Sequence, residues 1–454
     1  MARDLRLHWL LAGAMLVAGA CTSPTGDVSS SGSSSGGPID PEARSDTLPG
    51  GPPGSEALAE LPGRLAITAT GELVLTDPTG GSAEVIDSAA FVAQPTWAPT
   101  GEALAWTRAD GGHAEVRIAS VEMIAAEPED RLEFVESIDL DDRPAIYLQW
   151  NTDSTRLGFL QAEDPQTADT PGIQLSTVVV ADGKVSNLVS AASVYFSWAL
   201  DGSGVAVHQG SDVVVVPRLA DAPPLARSEG WFTAPAWLTP DTLLVATAGS
   251  LDRLDTATGE ATSLLTLEGA TEFVVNRTRS HVAFLQPGAG YLTVQAPGPD
   301  TAPDEQRALQ VLDIATGDLA LVGPRAGEAA IPIAFEWSPD GSILAFFAPS
   351  THRPDLLRWY FWQLGPGGGH IVGASTAFTP SAVSVQQYLP FFAQYAQSAT
   401  GWAPNSSAFA FAGSIEAVSG IFVLGATPQS VYVGPGDYVT WSPANVQGAG
   451  RSFL

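Results

Sequence analysis

The chain has 454 residues, is 45% apolar and carries a formal charge of −29. Its surplus of carboxylates repels nucleic-acid phosphates, which proteins hold mainly with Lys and Arg, so the composition argues against a nucleic-acid partner. Because charged residues are scarce while Gly and Pro are abundant, the body favours many short strands joined by tight turns over long solvated helices.

The N-terminus carries a short apolar run, residues 7–20, after Arg3 and Arg6. The run is shorter than the roughly 20 apolar residues that a spanning helix needs, so it predicts a secretory signal peptide. It ends in Val-Ala-Gly-Ala-Cys at residues 17–21, which resembles the lipobox of bacterial lipoproteins. In that family the Cys receives a diacylglycerol and becomes the first residue after cleavage. An ordinary secretory signal with an incidental Cys is the alternative.

Cys21 is the single cysteine of the chain, so no intrachain disulfide can form, and its position predicts lipidation. Residues 22–62 are rich in Ser, Gly and Pro and have too little apolar surface to fold. We therefore expect a signal peptide over residues 1–20, a lipidated flexible tether over residues 21–62 and one folded domain over residues 63–454. The predicted location is extracytoplasmic, on the inner or the outer membrane of a bacterial cell.

A repeated strand-turn-strand pattern fills the rest of the chain. Its clearest copy begins at Trp337, where Trp-Ser-Pro-Asp-Gly precedes a short apolar run. Pro presets the first central position of a turn and Asp-Gly completes it, so each copy predicts two strands joined by a tight turn. A further strand pair makes each unit four-stranded, and a degenerate copy at residues 275–284 lacks the Trp. The remaining tryptophans are predicted as core wedges: Trp97, Trp150, Trp198, Trp237, Trp337, Trp402 and Trp441.

The repeat resembles that of TolB-type, WD40-like β-propellers over residues 64–446. This resemblance implies an all-β fold, a ring of four-stranded blades around a central channel. Counting the copies predicts eight blades, with seven as the alternative if the degenerate copy merges with a neighbour. In the eight-blade arrangement, three strands within residues 64–86 join the strand that ends at Trp441, and this closure hides strand edges.

Two long insertions interrupt the repeats, at residues 288–307 and at residues 378–397. Loops on rigid scaffolds commonly carry binding sites, and aromatic residues are enriched at binding hot spots. The second insertion therefore predicts a candidate binding loop, while a short helix or loop folded against its own blade is the alternative. The candidate contact residues are Tyr388, Phe391, Phe392 and Tyr395.

The sequence contains no motif that predicts a catalytic, cofactor or metal site. Its six histidines are scattered without ligand spacing. Gly-x-Ser-x-Gly at residues 32–36 lies in the tether, whereas a nucleophile elbow needs a strand before it and a helix after it. Motifs that bind phosphate or dinucleotides are absent as well.

The leading functional prediction is a lipid-anchored, non-enzymatic propeller that binds or scaffolds a protein, a peptide or an envelope polymer. Two alternatives stay open, because propellers host many activities. One is an enzyme with its active site in the channel, of the glycosidase, lyase or sugar dehydrogenase type. The other is a regulatory propeller that acts in trans in a system resembling the prolyl peptidases.

Overall fold

The computed structural model describes residues 58–120, 135–163, 172–210, 212–217, 227–229, 233–247, 249–267, 271–285, 309–323, 332–350, 352–353, 355–366, 368–425 and 429–443. Within these ranges the chain forms eight four-stranded antiparallel sheets, arranged as an eight-bladed β-propeller. The prediction of eight blades is confirmed. The predicted signal peptide, Cys21, the tether up to residue 57 and the insertion at residues 288–307 lie outside the described residues.

The first four blades take most of their strands from consecutive stretches of chain. Blade 1 contains β1 (Leu65–Ala69), β2 (Glu72–Thr76) and β3 (Glu84–Ser88) with β32 (Tyr438–Trp441). Blade 2 contains β4 (Phe91–Trp97), β5 (Ala103–Asp110), β6 (His113–Ser120) and β7 (Val135–Asp139). Blade 3 contains β8 (Ala145–Trp150), β9 (Arg156–Ala162), β10 (Ile173–Val179) and β11 (Lys184–Ala191). Blade 4 contains β12 (Val194–Trp198), β13 (Gly204–Gln209), β14 (Asp212–Pro217) and β15 (Arg227–Glu229).

The other four blades follow the same strand order. Blade 5 contains β16 (Ala236–Thr239), β17 (Thr242–Ala246), β18 (Ser250–Asp255) and β19 (Ala261–Thr266). Blade 6 contains β20 (Phe273–Val275), β21 (His281–Leu285), β22 (Leu309–Asp313) and β23 (Leu319–Val322). Blade 7 contains β24 (Ala334–Trp337), β25 (Ile343–Pro349), β26 (Leu357–Gly365) and β27 (Gly368–Ala374). Blade 8 contains β28 (Thr379–Pro380), β29 (Phe409–Ile415), β30 (Val418–Leu424) and β31 (Val431–Gly434).

The strand that precedes each motif turn lies nearest the propeller axis. These inner strands contact one another from blade to blade, as β4 contacts β8 and β12 contacts β16. Blade 1 is closed by pairing of β32 with β1, in which Leu65 faces Trp441 and Thr68 faces Tyr438. The predicted closure is therefore correct, and it leaves no gap between the first and the last blade.

Packing of the propeller begins ahead of the predicted boundary at residue 63. Leu58 is fully buried in a cluster with residues of blades 1 and 8. The carbonyl of Pro62 accepts a hydrogen bond from the indole nitrogen of Trp441, with 2.9 Å between the two atoms. Residues 58–62 are thus part of the folded domain, because Leu58 is buried in its core and Leu61 packs against the same cluster.

The motif turns share one backbone arrangement. In the copy at Trp337, the Ser338 N–H donates to the Ile343 carbonyl and the Gly341 N–H donates to the Ser338 carbonyl. The second of these donors has a positive φ, which suits Gly and small polar residues. The same position has a positive φ in six copies: Gly101, Ser154, Gly202, Arg279, Gly341 and Ser406.

The motif tryptophans link each blade to the one before it. All seven are buried, as predicted. At four interfaces the indole N–H donates to a backbone carbonyl of the preceding inner strand, and the acceptor always belongs to the residue just before the motif position of that blade. The bonds are Trp150 to Thr96 (2.9 Å), Trp198 to Gln149 (3.0 Å), Trp237 to Ser197 (3.2 Å) and Trp337 to Val274 (3.1 Å).

Within the described ranges, no helix is both long enough and apolar enough to cross a bilayer.

The inter-blade indole bond can be tested with a matched pair of substitutions. Trp337→Phe removes the bond to Val274 and leaves a buried carbonyl unpaired, so we expect the free energy of unfolding to fall by about 1–3 kcal/mol more than in the control. The control is Trp402→Phe, since the buried Trp402 indole N–H has no hydrogen-bond partner in the described part of the chain. Urea unfolding followed by circular dichroism measures both losses, and equal losses would contradict the role assigned to the bond.

Candidate functional site

A helical segment interrupts the inner strand of blade 8. Thr379 and Pro380 pair with the far end of β29, and the chain returns to that strand only where Trp402 bridges Phe409. Between these points lies the channel insert, which we define as residues 381–399. It contains a π-helical turn (Ser384–Tyr388), a 3-10 turn (Leu389–Phe391) and an α-helical turn (Phe392–Tyr395). Because it leaves and rejoins the strand nearest the axis, the insert enters the central channel.

One side of the insert is bonded to the inner strands of blades 3 and 4. The Gln394 side chain donates to the Phe196 carbonyl (2.8 Å) and accepts from the Phe196 N–H (3.1 Å), as a neighbouring strand would do. The Tyr147 hydroxyl donates to the Gln394 carbonyl (3.0 Å), and the Tyr395 hydroxyl donates to the Ile146 carbonyl (2.9 Å). These bonds satisfy backbone groups that face the channel.

The opposite side of the insert packs against blades 7 and 1. The Tyr388 ring stacks on Tyr438 with 3.6 Å between ring centroids, and Phe392 meets Phe335 edge to face at 4.8 Å. The insert thus contacts inner strands on both sides of the axis. Its partners Ile146, Phe335 and Tyr438 all lie in the first half of their strands, so the insert fills the end of the channel at which the inner strands begin.

The structure brings the four predicted contact residues together inside the propeller. Tyr388 and Phe392 are buried, while Phe391 and Tyr395 are partly buried. Their rings pack against inner strands of several blades. The alternative prediction, a short helix or loop folded against its own blade, covers only part of these contacts. A role for these residues in partner binding stays a prediction. The sequence signal for this placement is the position of the insertion. The insertion divides the inner strand of blade 8, whereas an ordinary loop would join two blades.

A cavity of about 110 Å³ lies between the insert and blades 7, 8 and 1. Ten of the 22 residues that line it are aromatic, among them Trp359, Tyr388 and Tyr438. The Tyr388 hydroxyl is buried close to the backbone of Gln94. Glu336 is the single acidic residue among the described residues that line this cavity. Glu336 was not among the predicted site residues, because it occupies an ordinary strand position just before the Trp337 motif.

Glu336 is a titratable group with an unusual environment. One carboxylate oxygen accepts hydrogen bonds from the Thr400 hydroxyl (3.1 Å) and the Gly401 N–H (3.2 Å). Burial raises the pKa of Glu336 from 4.5 to about 7, and these hydrogen bonds and the charge of Arg277 oppose the rise. The carboxyl group therefore changes its protonation state near neutral pH, at the point where the insert rejoins its strand.

Among the described residues that line the cavity, the side chains offer one carboxyl group, hydroxyls and aromatic faces. Glycoside hydrolysis, for comparison, uses two carboxyl groups that flank the scissile bond. No group of three His, Cys, Asp or Glu side chains that could hold a metal ion is present in the described part of the chain.

Comparison with known proteins supports the fold. No protein-family model matches the chain, and no curated protein matches it. Among solved structures, a eukaryotic initiation factor is similar over 85% of this chain and 99% of its own, with 10% identity and a TM-score of 0.51. The β-propeller domain of the trilobed protease of Pyrococcus furiosus is similar over 77% and 99%, with 10% identity and a TM-score of 0.44.

TolB from Acinetobacter baumannii is also similar, over 70% of this chain and 68% of its own, with 11% identity and a TM-score of 0.35. At identities this low, such likenesses say nothing of function. The chain is an eight-bladed β-propeller by its own eight sheets, and TolB and other propellers are among its solved structural neighbours.

Attachment of the insert can be tested at Gln394. Gln394→Ala removes both bonds to Phe196, so we expect amide hydrogen exchange across residues 384–399 to accelerate on the order of tenfold. Gln386→Ala is the matched control because Gln386 lies on the exposed side of the same segment. Hydrogen exchange with mass spectrometry measures the effect, and unchanged exchange in the Gln394 variant would contradict the proposed anchoring.

The protonation of Glu336 makes the stability of the protein depend on pH. Its pKa in the folded state lies above its ordinary value, so its contribution to stability is fully present below about pH 4.5 and is lost as pH rises through about 7. We expect Glu336→Gln to gain up to about 3 kcal/mol relative to the wild type over this range.

Urea unfolding at a series of pH values measures this difference. Glu102→Gln, at an exposed position, is the control and should follow the wild type. A constant difference between Glu336→Gln and the wild type at all pH values would refute the assignment.

Proposed function

We propose that this protein is an extracytoplasmic lipoprotein, anchored through Cys21, whose propeller is a non-enzymatic binding module for a protein, a peptide or an envelope polymer. The observation that carries the binding role is the channel insert. A substrate in a propeller channel would need the axial space that residues 381–399 occupy at one end. Hydrogen bonds and ring contacts hold the insert to inner strands of blades 1, 3, 4 and 7.

The anchoring part of the proposal depends on the N-terminal sequence. The lone Cys21 follows small residues at the end of an apolar run, and a Ser- and Gly-rich stretch separates it from Leu58, the first described residue, which is buried in the propeller. About 40 flexible residues have a root-mean-square reach of about 35 Å. Such a tether holds the propeller clear of lipid headgroups, which the acidic surface would also avoid.

The second candidate is an enzyme in the channel, and Glu336 is the observation that favours it. A carboxyl group with a pKa of about 7 beside a cavity is suited to proton transfer near neutral pH. The binding role is preferred because Glu336 stands without a second acidic group among the described residues of the cavity wall.

The proposal is tested by cross-linking in cells with the full chain, followed by affinity purification. We expect the wild type to fractionate with membranes and to capture a stoichiometric partner, whereas Cys21→Ala is released from the membrane and loses that partner. Ser23→Ala, two residues away, is the matched control and should behave as the wild type.

Two results would overturn parts of the proposal separately. Membrane fractionation of Cys21→Ala at the wild-type level would exclude the lipid anchor. Capture of no protein by either form, together with loss of a bound glycan or small molecule in Glu336→Gln, would favour the channel enzyme.

A further inference from the structure

The cavity beside the channel insert has a wall that attracts positive charge. Besides its aromatic residues it has one acidic side chain, Glu336, and none of the described residues that line it is Lys, Arg or His. The face of an aromatic ring carries partial negative charge, so the rings and the carboxylate act on a cation in the same direction. An anion would find no opposite charge on this wall.

One oxygen of Glu336 is left for a ligand. The Thr400 hydroxyl and the Gly401 N–H both donate to the same carboxyl oxygen, at 3.1 Å and 3.2 Å. The second oxygen accepts no hydrogen bond from the described residues, and it is not among the buried atoms that lack a partner. Glu336 lines the cavity and keeps part of its surface accessible, so a group inside the cavity can approach this oxygen.

Aromatic rings stand close to this carboxyl group. The Phe409 ring lies against Gly401, the donor to Glu336, because a Cβ added at Gly401 would be 3.0 Å from the ring atom Cζ. From Phe409 the aromatic wall continues to Trp359, with 4.8 Å between the ring centroids. Burial raises the pKa of Tyr438 well above 10 and the charge of Glu336 adds to the rise, which places this fourth wall residue near the carboxyl group.

The size of the cavity and the composition of its wall restrict the kind of cation. An apolar cavity of about 150 Å³ takes up benzene, so a cavity of about 110 Å³ has room for a nitrogen that carries three methyl groups. A primary ammonium group would need acceptors for three N–H donors. A metal ion such as Ca²⁺ would need six or more oxygen ligands. A methylated ammonium group needs neither, because aromatic faces hold it by cation–π attraction.

We propose that this cavity binds a methylated ammonium group, with the rings of Phe409 and Tyr438 against its methyl groups and the Glu336 carboxylate beside its charge. The formal charge of −29 favours approach of a cation to any part of the surface. This inference rests on the proposed binding role and names one chemical group of the ligand. The group belongs either to a free small molecule or to a phosphocholine headgroup on a lipid or an envelope polymer.

The test is titration calorimetry of the full chain in a non-ionic detergent at about pH 8, with choline and with phosphocholine as probes. The neutral analogue dimethylbutanol, in which carbon replaces the choline nitrogen, should bind about tenfold more weakly or less, because it lacks the charge. Tighter binding of choline assigns a free cation, and tighter binding of phosphocholine assigns a headgroup. Binding of neither probe, or equal binding of choline and the neutral analogue, would overturn the proposal.

Two variants examine the carboxylate and the ring separately. Glu336→Gln keeps the shape of the side chain and should weaken choline binding about tenfold, because the nearby negative charge is lost. Glu102→Gln, at an exposed position, is its control. Tyr438→Leu should weaken choline binding about fivefold, whereas Tyr432→Leu, outside the cavity wall, should leave the affinity unchanged. Wild-type affinity in both Glu336→Gln and Tyr438→Leu would refute the site.

The pH dependence of binding gives a readout that a purely structural role of Glu336 would not produce. Its pKa of about 7 means that the carboxyl group loses its proton between about pH 6 and pH 8, so choline affinity should rise about tenfold over this range. The neighbouring charged and titratable groups do not change there, because Arg277 keeps its charge and burial keeps Tyr438 protonated. Glu336→Gln should show a flat profile.

A flat profile in the wild type would contradict the role of the carboxylate. Capture of a partner in cells depends on the Cys21 comparison and is measured without these probes. Failure of choline and phosphocholine to bind would therefore remove the cation site and leave the result on partner capture as it stands.

Discussion

The contact between a buried indole N–H and a carbonyl of the preceding inner strand sets the geometry of the ring. A propeller must repeat one inter-blade spacing around its axis, and dispersion forces between flat apolar faces tolerate sliding. A directional bond from Trp150 to Thr96, repeated from Trp198 to Gln149 and at two further interfaces, fixes the height and the rotation of the blades that it joins. The bond is absent, among described residues, at Trp97 and Trp402. These positions flank blades 8 and 1, where the insert and the chain closure supply other contacts.

The fold could be predicted because the repeat consists of residues that form tight turns locally. Trp, Pro and Asp-Gly at fixed offsets specify a buried wedge and a tight turn whatever the rest of the chain does, and six copies adopt the same positive φ. The burial of Leu58 ahead of the expected boundary at residue 63 has no local signal in the sequence, since only its tertiary contacts show that it belongs to the core.

The site was harder to predict because its contacts are long-range. The aromatic residues of the insert were recognised, but Gln394 and Phe196 meet across 198 positions of sequence, and no local pattern encodes that approach. Glu336 acquires its perturbed pKa from burial by blade 8 and the insert.

Closure of blade 1 makes the order of synthesis matter. The Arg64 N–H donates to the Ser442 hydroxyl across 378 positions, so β1 has its inner neighbour only after almost the whole chain has emerged. Contacts of such separation form late and slow folding. Until β32 follows, β1 keeps one edge unpaired while β2 pairs with its other edge. An edge of this kind is open to aggregation, so the interval before β32 pairs is the stage of folding at which association with other chains competes most directly with closure of the ring.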